Sequence, residues 1–242
     1  MSAGANPVAD VTGLYDGVAQ VISTAWGPDL HWGYWEDDDR SGVAEATDRL
    51  TDLMIEGLAP EPGQRILDIG CGIGSPAPRL ARAHDVDVQG ITLSTVQVDA
   101  ATARAAEAGL SDRLRFRHAD AMDMPFPGGR LAVAELIERG PVAADVREEV
   151  DRILAIYALH TLGTIEQYER WLADTGFVDV EIRDVSAHVA RTGIEMARAT
   201  QSVRDEFDAL QDPAATEALI ASMRKTAATP EVGYVFITAV RG

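Results

Sequence analysis

The fold of this chain is decided by Ile66-Leu67-Asp68-Ile69-Gly70-Cys71-Gly72-Ile73-Gly74. An apolar run that ends in an acid, followed by three glycines at alternate positions, predicts a buried strand that breaks into a tight turn. Glycine permits the φ > 0 conformations of such a turn and lets a ligand approach the backbone without a Cβ in the way. Residues 75–84 predict a helix whose free N-terminal amides face that turn. A strand, a glycine turn and a helix N-terminus together are typical of a nucleotide-binding site.

The neighbours of the glycines indicate which nucleotide binds. The dinucleotide fingerprint is G-x-G-x-x-G, whereas the spacing here is G-x-G-x-G, with Asp68 two residues before the first glycine. That carboxylate repels a phosphate and attracts the ammonium group of an amino acid. S-adenosylmethionine (SAM) carries such an ammonium and no phosphate. The pattern D-x-G-x-G-x-G resembles motif I of the class I SAM-dependent methyltransferases. The alternative is a glycine-rich turn that binds no ligand.

Strand and helix patterns alternate after Arg65, as in a parallel α/β sheet. The predicted strands are Arg65–Ile69, 87–93, Leu114–His118, 130–136, 178–185 and 234–240. Helices are predicted at 8–25, 43–58, 75–84, 94–108, 142–159, 164–175 and over most of 188–228. The chain has no internal repeat or low-complexity linker, so we expect a single domain over 1–242. We divide it into an N-terminal helical lid (1–60), a SAM-binding core (61–136) and a region of acceptor-side helices and final strands (137–242).

One connection in this pattern is too short. Between the strand Leu114–His118 and the apolar run 130–136 lie only residues 119–129, which include two prolines and two glycines. Neighbouring parallel strands need a crossover of about a dozen residues or more, normally with a helix. Either the run 130–136 is antiparallel to the preceding strand, or a strand–helix unit of roughly 30 residues is absent.

A family resemblance extends over nearly the whole chain. The sequence resembles small-molecule methyltransferases related to the mycolic acid cyclopropane synthases, and within them the rebeccamycin-type sugar 4′-O-methyltransferases. The stretches that carry it are Leu30-His31-Trp32-Gly33-Tyr34-Trp35-Glu36-Asp37, Ala46-Thr47-Asp48-Arg49-Leu50-Thr51-Asp52, residues 67–74, Ala119-Asp120-Ala121-Met122-Asp123 and Pro230-Glu231-Val232-Gly233-Tyr234-Val235. The resemblance implies a Rossmann-like sheet with helices on both faces and a helical lid.

The resemblance also implies a fourth strand and its helix after Pro127, and both are missing. Pro127 runs directly into Gly128-Gly129-Arg130-Leu131. Three explanations are open: a deletion, a partner chain that supplies the strand, and an incompletely recorded sequence. A central strand is buried on both faces, and its loss leaves a larger hole than core repacking tolerates, which favours the third explanation.

The resemblance places the SAM site at the ends of the first three strands. Asp68 would bind the methionine ammonium, and Thr92 would stand where relatives usually offer an acid to the ribose hydroxyls. A neutral donor–acceptor still bonds a diol, though more weakly than a carboxylate. Met122 would pack on the adenine. The alternative is that Met122 is an ordinary core residue. The full set of cofactor-binding residues implied is Asp68, Gly70, Cys71, Gly72, Gly74, Thr92, Leu93, Gln97, Asp120, Ala121, Met122 and Tyr34.

The sequence offers fewer candidate residues for binding and activating the methyl acceptor than for binding SAM. The histidine tip that is the natural base candidate in relatives is missing, and Glu135 is the acid we nominate for catalysis, with a surface carboxylate as the alternative. His31 and Trp32, in the loop that would close over the donor, and His160 are the substrate-side candidates. For the aromatic loop the alternative is a packed aromatic corner, and for His160 it is a buried structural histidine.

Bulk properties exclude several partners. The net charge of −18 argues against nucleic acid, and no segment approaches the ~20 apolar residues of a membrane span. The acidic run Glu36-Asp37-Asp38-Asp39 is read as a solvated loop, so no metal is expected. Residues 1–10 lack the features of a signal peptide, and a single cysteine fits a reducing cytoplasm. The sequence leaves open whether the chain forms a homo-oligomer.

The expected function is SAM-dependent O-methylation of a sugar hydroxyl on a glycosylated, indolocarbazole-like natural product, with S-adenosylhomocysteine as the second product. Methyl transfer to nitrogen or carbon of another small metabolite is the first alternative, because relatives on this fold serve several acceptors. A protein that keeps the SAM pocket without transfer chemistry is the second.

Overall fold

The computed structural model describes residues 21, 25–27, 31–121, 129–156 and 161–241. The predicted helix at 8–25 therefore lies almost entirely outside the described residues. All six predicted strands are confirmed, with ends that shift by one or two residues at most. In chain order the elements are α1 (Val43–Leu58), β1 (Arg65–Ile69), α2 (Pro76–Ala83), β2 (Asp87–Thr92), α3 (Thr95–Glu107), β3 (Leu114–His118), β4 (Arg130–Glu138), α4 (Ala144–Ile156), α5 (Ile165–Asp174), β5 (Phe177–Asp184), α6 (Ser186–Val189), α7 (Arg191–Ser202), α8 (Arg204–Leu210), α9 (Pro213–Ala227) and β6 (Val232–Arg241).

The elements fall into two compact units, and the first, which we call the parallel unit, contains β1 to β3 with α2 and α3. Its strands are parallel in the order β1-β2-β3, with Ile69 opposite Ile91 and Thr92 opposite His118. Ser94 caps the N-terminus of helix α3, and its side chain accepts a hydrogen bond from the Gln97 amide. Because the three strands run in the same direction, their carboxyl ends meet at one edge of the sheet.

The second unit, which we call the antiparallel unit, contains α1 and everything from β4 onwards. Its sheet has the order β4-β6-β5, with β6 antiparallel to both neighbours. One face packs on a core that includes Leu50, Leu136 and Phe236, and the other on a cluster built around Ile137 and Ile237. The central strand β6 is thus covered on both faces.

The short connection after β3 leads out of the parallel sheet. Residue Arg130 of β4 lies opposite Val240 of β6, and β4 makes no pair with β3. The first of the two alternatives for this connection, an antiparallel pairing of β4 with β3, is therefore wrong. The structure also groups β4 with the C-terminal strands, whereas the sequence-based division placed 130–136 in the SAM-binding core.

Candidate functional site

The glycine turn after β1 is an open cradle. Gly70, Gly72 and Gly74 have φ angles of 72°, 53° and 73°, the left-handed region that favours glycine. A Cβ at Gly70 or Gly72 would meet no described residue within 4 Å, whereas a Cβ at Gly74 would lie 2.8 Å from the Phe116 ring. The first two glycines therefore leave backbone accessible to a ligand, and the third allows close packing. The amide of Gly70 donates to the carbonyl of Ile91 at 2.9 Å, which ties the turn to β2.

Asp68 supplies the negative charge of this cradle. It lies opposite Gly90 in the β1–β2 ladder and is partly buried. Burial raises the pKa of Asp68 to about 6, because the carboxylate loses hydration. A cation such as an ammonium group would stabilise the ionised form. The neighbouring Cys71 is buried, and burial together with the charge of Asp68 raises the pKa of its thiol to about 12, so it is no nucleophile at neutral pH.

The tip of β2 carries a neutral hydrogen-bonding pair. The hydroxyl of Thr92 donates to Gln97 Oε1 at 2.6 Å, and the amide of Ser94 donates to Thr92 Oγ1 at 3.4 Å. Thr92 is buried, and Leu93 beside it is half-buried. The first turn of α3 therefore holds Thr92 and Gln97 together.

The end of β3 places Asp120 and Ala121 beside the tip of β2. The amide of Ala119 donates to the carbonyl of Thr92 at 3.1 Å, so the chain continues the β2–β3 pairing as it leaves the sheet. Asp120 and Ala121 follow at once and are half-buried. Met122, the last predicted adenine contact, lies outside the described residues.

Together these residues fit SAM. The parallel unit brings a carboxylate, an accessible glycine backbone, a neutral hydroxyl–amide pair and a second acid to one edge of its sheet. Their chemistry matches, in that order, an ammonium, a carboxylate-bearing chain, a ribose diol and an adenine amino group. No group of three or more His, Cys, Asp or Glu side chains suited to a metal occurs among the described residues.

Glu135 lies in the antiparallel unit, in the middle of β4. Burial raises the pKa of Glu135, and a hydrogen bond from the Leu136 amide to its Oε1 at 2.8 Å opposes the rise. By the alternation of a strand, Glu135 shares a face with Val133 and Ile137, which pack towards α5. Burial raises the pKa of Tyr168 on α5 to about 12, and the negative charge of Glu135 contributes to this rise. Glu135 is thus a partly buried carboxyl on the α5 face.

The aromatic loop packs on the opposite face of that sheet. Trp32 stacks on Tyr234 at 5.1 Å between ring centroids, and both belong to the core cluster that contains Leu136. Tyr34 stacks on His188 at 4.5 Å. Trp32 and Glu135 are therefore on different faces of the β4-β6-β5 sheet.

The loop is also held by hydrogen bonds. The two ring nitrogens of His31 lie 2.9 Å from the Trp32 carbonyl and 3.0 Å from Thr51 Oγ1. The amide of Gly33 donates to Thr192 Oγ1, and Arg49 donates to the carbonyl of Tyr34 at 2.9 Å. This arrangement is that of a packed aromatic corner. His160, the remaining substrate-side candidate, lies outside the described residues.

Sequence reasoning missed the residues that hold this loop. Thr192, His188 and Tyr234 are separated from it by more than 150 positions along the chain, and neither Thr192 nor His188 lies in a recognisable motif. It also missed Thr226, whose buried hydroxyl makes no hydrogen bond to any described residue. The one signal in the sequence was the stretch 230–235, which is part of the family resemblance. It includes Tyr234 but does not indicate that Tyr234 stacks on Trp32.

Comparison with known proteins identifies the relatives of this chain. A family model described as mycolic acid cyclopropane synthetase matches residues 8–141, more than half of the chain. The 27-O-demethylrifamycin SV methyltransferase of Amycolatopsis mediterranei (strain S699) is 32% identical over an alignment of 258 positions, which covers 93% of this chain and 94% of the relative.

Two solved structures show how far the fold is shared. The [4+2]-cyclase SpnF is 29% identical, with a TM-score of 0.80, and the match covers 96% of this chain and 94% of SpnF. The mycolic acid cyclopropane synthase CmaA1, solved in complex with SAH and CTAB, is 19% identical, with a TM-score of 0.84 and coverage of 97% and 98%. The second likeness concerns the α/β Rossmann-like fold alone.

Proposed function

We propose that this chain, which belongs to the mycolic acid cyclopropane synthetase family of SAM-dependent methyltransferases, methylates a hydroxyl oxygen of a natural product made in antibiotic biosynthesis. The observation that carries the proposal is the open glycine cradle with Asp68 at the end of β1. The name of the rifamycin relative, 27-O-demethylrifamycin SV methyltransferase, supports oxygen as the acceptor atom. In its finer form the proposal names a sugar hydroxyl of a glycoside, on the resemblance to rebeccamycin-type sugar 4′-O-methyltransferases.

The residues that would hold the methyl donor need to bind and orient it, and they need no reactive groups of their own. When bound, SAM would supply a methyl group activated by its sulfonium sulfur, with S-adenosylhomocysteine as the leaving group. Asp68 would hold the ammonium end, and the Thr92–Gln97 pair would fix the ribose, so that the methyl group points in one direction. Such alignment accounts for a large part of the barrier reduction in a two-reactant displacement.

Glu135 lies on one face of the β4-β6-β5 sheet, and this restricts where it can act as a general base. Glu135 remains the acid that we propose for proton removal, and this role requires the acceptor hydroxyl to reach the α5 face beside Tyr168. Glu135→Gln tests it. A base role predicts a fall in turnover of about 10²-fold or more with unchanged affinity for S-adenosylhomocysteine. Unchanged turnover assigns Glu135 to the packing of α5.

The proposal is tested with a labelled-methyl assay on matched pairs of glycoside and aglycone. Transfer to the glycoside and not to its aglycone supports the sugar hydroxyl, and transfer to both places the hydroxyl on the aglycone. Product NMR distinguishes methylation on oxygen from methylation on nitrogen or carbon, the first alternative. Binding of S-adenosylhomocysteine with no transfer to any acceptor contradicts the proposed reaction.

The likeness to SpnF favours a second candidate function. That protein is named a [4+2]-cyclase and is 29% identical to this chain. The histidine tip that relatives offer as a base is missing here, which is consistent with a SAM-binding protein that has no transfer activity. Binding of S-adenosylhomocysteine by calorimetry, together with a complete absence of methylated product, supports this candidate.

A further inference from the structure

The last residue of β3 is a histidine that lies beside the candidate donor site. In the register of the parallel sheet, His118 is opposite Thr92, the last residue of β2. Neighbouring strands of a sheet are about 4.8 Å apart. His118 is exposed, and its imidazole makes no hydrogen bond or ion pair with any residue that the structure describes. The sheet therefore places an imidazole without a described partner one strand away from Thr92.

Thr92 and His118 are on the same face of this sheet. Phe116, two residues before His118, is in register with Gly90, two residues before Thr92. A Cβ at Gly90 would lie 2.4 Å from the Phe116 ring, so these two positions face the same side. Side chains two residues apart on a strand point to one face. The His118 imidazole is therefore on the side of the sheet where Thr92 bonds to Gln97 of α3.

The Thr92–Gln97 pair offers a ligand a hydrogen-bond donor more readily than an acceptor. The hydroxyl of Thr92 donates to Gln97 Oε1, and its oxygen accepts from the Ser94 amide. The Gln97 side-chain nitrogen has no partner among the described residues, and an amide nitrogen only donates. Dinucleotide-binding sheets place a carboxylate near the end of the second strand, and it accepts from a ribose hydroxyl. A ribose bound at this tip therefore lacks an acceptor that is not already engaged.

We propose that His118 is a further binding residue of the donor site, and that one of its ring nitrogens accepts a hydrogen bond from a ribose hydroxyl of SAM. A neutral imidazole has one nitrogen that accepts and one that donates, so it supplies the acceptor that the Thr92–Gln97 pair lacks. The proposal rests on the SAM site of the proposed function and is independent of the methyl acceptor. It gives His118 no part in proton removal.

Ligands that lack one ribose hydroxyl test this hydrogen bond by calorimetry. His118→Ala should weaken binding of S-adenosylhomocysteine by about 3- to 10-fold, the effect of one lost neutral hydrogen bond. For either the 2′-deoxy or the 3′-deoxy analogue the loss should shrink to about twofold or less, because that analogue lacks the hydroxyl that His118 bonds. His118→Gln keeps an acceptor oxygen and should recover part of the affinity.

The same unit provides a matched control in His84. It follows α2 and precedes β2, so it lies at the opposite edge of the sheet from His118. His84→Ala should leave the affinity for S-adenosylhomocysteine within about twofold, as for a substitution away from the site. The unmodified protein gives a second measurement, because its five histidines give five imidazole signals in a carbon–proton NMR spectrum. The His118 signal should shift on addition of S-adenosylhomocysteine, and the His84 signal should not.

The possible results separate this proposal from the donor site itself. A loss that depends on one ribose hydroxyl, together with a shifted His118 signal, supports the role of His118. An equal loss for all three ligands, an equal loss for His84→Ala, or an unmoved His118 signal at saturating ligand overturns that role and leaves the SAM site in place. Failure of the unmodified protein to bind S-adenosylhomocysteine at all overturns the donor site, and the role of His118 with it.

Discussion

Strands β1 and β6 both have the composition of interior strands, and they are supported very differently. β6 is paired on both sides, and six of its ten residues are buried, including Val235 at 0% and Ile237 at 1% exposure. Among the described residues β1 is paired with β2 alone, and it has no fully buried residue. The strand that carries the candidate donor site is therefore the less stabilised of the two. Of these two strands β6 is the more deeply buried, and β1 carries the recognisable chemistry.

The largest difference between β6 and β1 is expected for a matched pair of isoleucine-to-alanine substitutions, one in each strand. We expect Ile237→Ala in β6 to lower the free energy of unfolding by about 2–5 kcal/mol, because it removes a fully buried side chain and leaves a cavity. Ile69→Ala in β1 should cost less than about 0.5 kcal/mol, as for an exposed position. Urea denaturation followed by circular dichroism measures both. Equal losses at the two positions would show that β1 is covered, and the comparison would fail.

The next prediction tests whether Asp68 of β1 binds the methyl donor. Asp68→Asn should weaken binding of S-adenosylhomocysteine by about 1.5–3 kcal/mol, the range for a lost charged hydrogen bond. By calorimetry this is a loss of affinity of roughly 10- to 150-fold. Asp87→Asn, an exposed acid at the start of β2, is the matched control and should change nothing. Equal effects of the two substitutions would remove Asp68 from the ammonium site.

The pH dependence of binding sharpens the assignment further. Burial raises the pKa of Asp68 to about 6 in the free protein, and a bound ammonium lowers it, since the cation favours the ionised carboxylate. Affinity for S-adenosylhomocysteine should therefore be constant above pH 6 and fall by up to about tenfold per pH unit below it. The Asp68→Asn variant should lack this dependence. A wild-type profile that is flat from pH 5 to 8 contradicts the role of Asp68.

The smallest expected effect tests the antiparallel unit. Thr226→Val removes a buried hydroxyl that has no hydrogen-bond partner among the described residues, so the melting temperature should rise, with a gain of about 1 kcal/mol. Thr229→Val is the matched control, because its hydroxyl donates to the Lys225 carbonyl at 2.8 Å and its loss should be destabilising. A lower melting temperature for Thr226→Val would indicate that its hydroxyl is already satisfied.

The sequence predicted the parallel unit well because its signals are local. Three glycines with φ > 0, the cap at Ser94 and the alternation of short strands and helices lie within stretches of a few residues. The SAM dependence inferred from the glycine turn, and the cyclopropane synthase-like family inferred from the resemblance, agree with the comparisons. The roles of the individual site residues, and the sugar as acceptor, stay predictions.

The antiparallel unit was harder to predict because its contacts are remote in sequence. The stacking of Trp32 on Tyr234 and the bond from Gly33 to Thr192 join residues more than 150 positions apart. The face on which Glu135 lies depends on the register of β4 against β6, and no local pattern encodes that register. The short connection at 119–129 was visible in the sequence, but its two explanations could be separated only by seeing which strand β4 pairs with.

The central claim is that the carboxyl ends of β1 to β3 bind SAM, and hydrogen exchange with and without S-adenosylhomocysteine tests it most directly. We expect slower exchange at the amides of residues 68–74 and 92–97 on addition of the ligand, with exchange in β6 unchanged. Unchanged exchange over both segments at saturating ligand, or protection confined to the antiparallel unit, would contradict it.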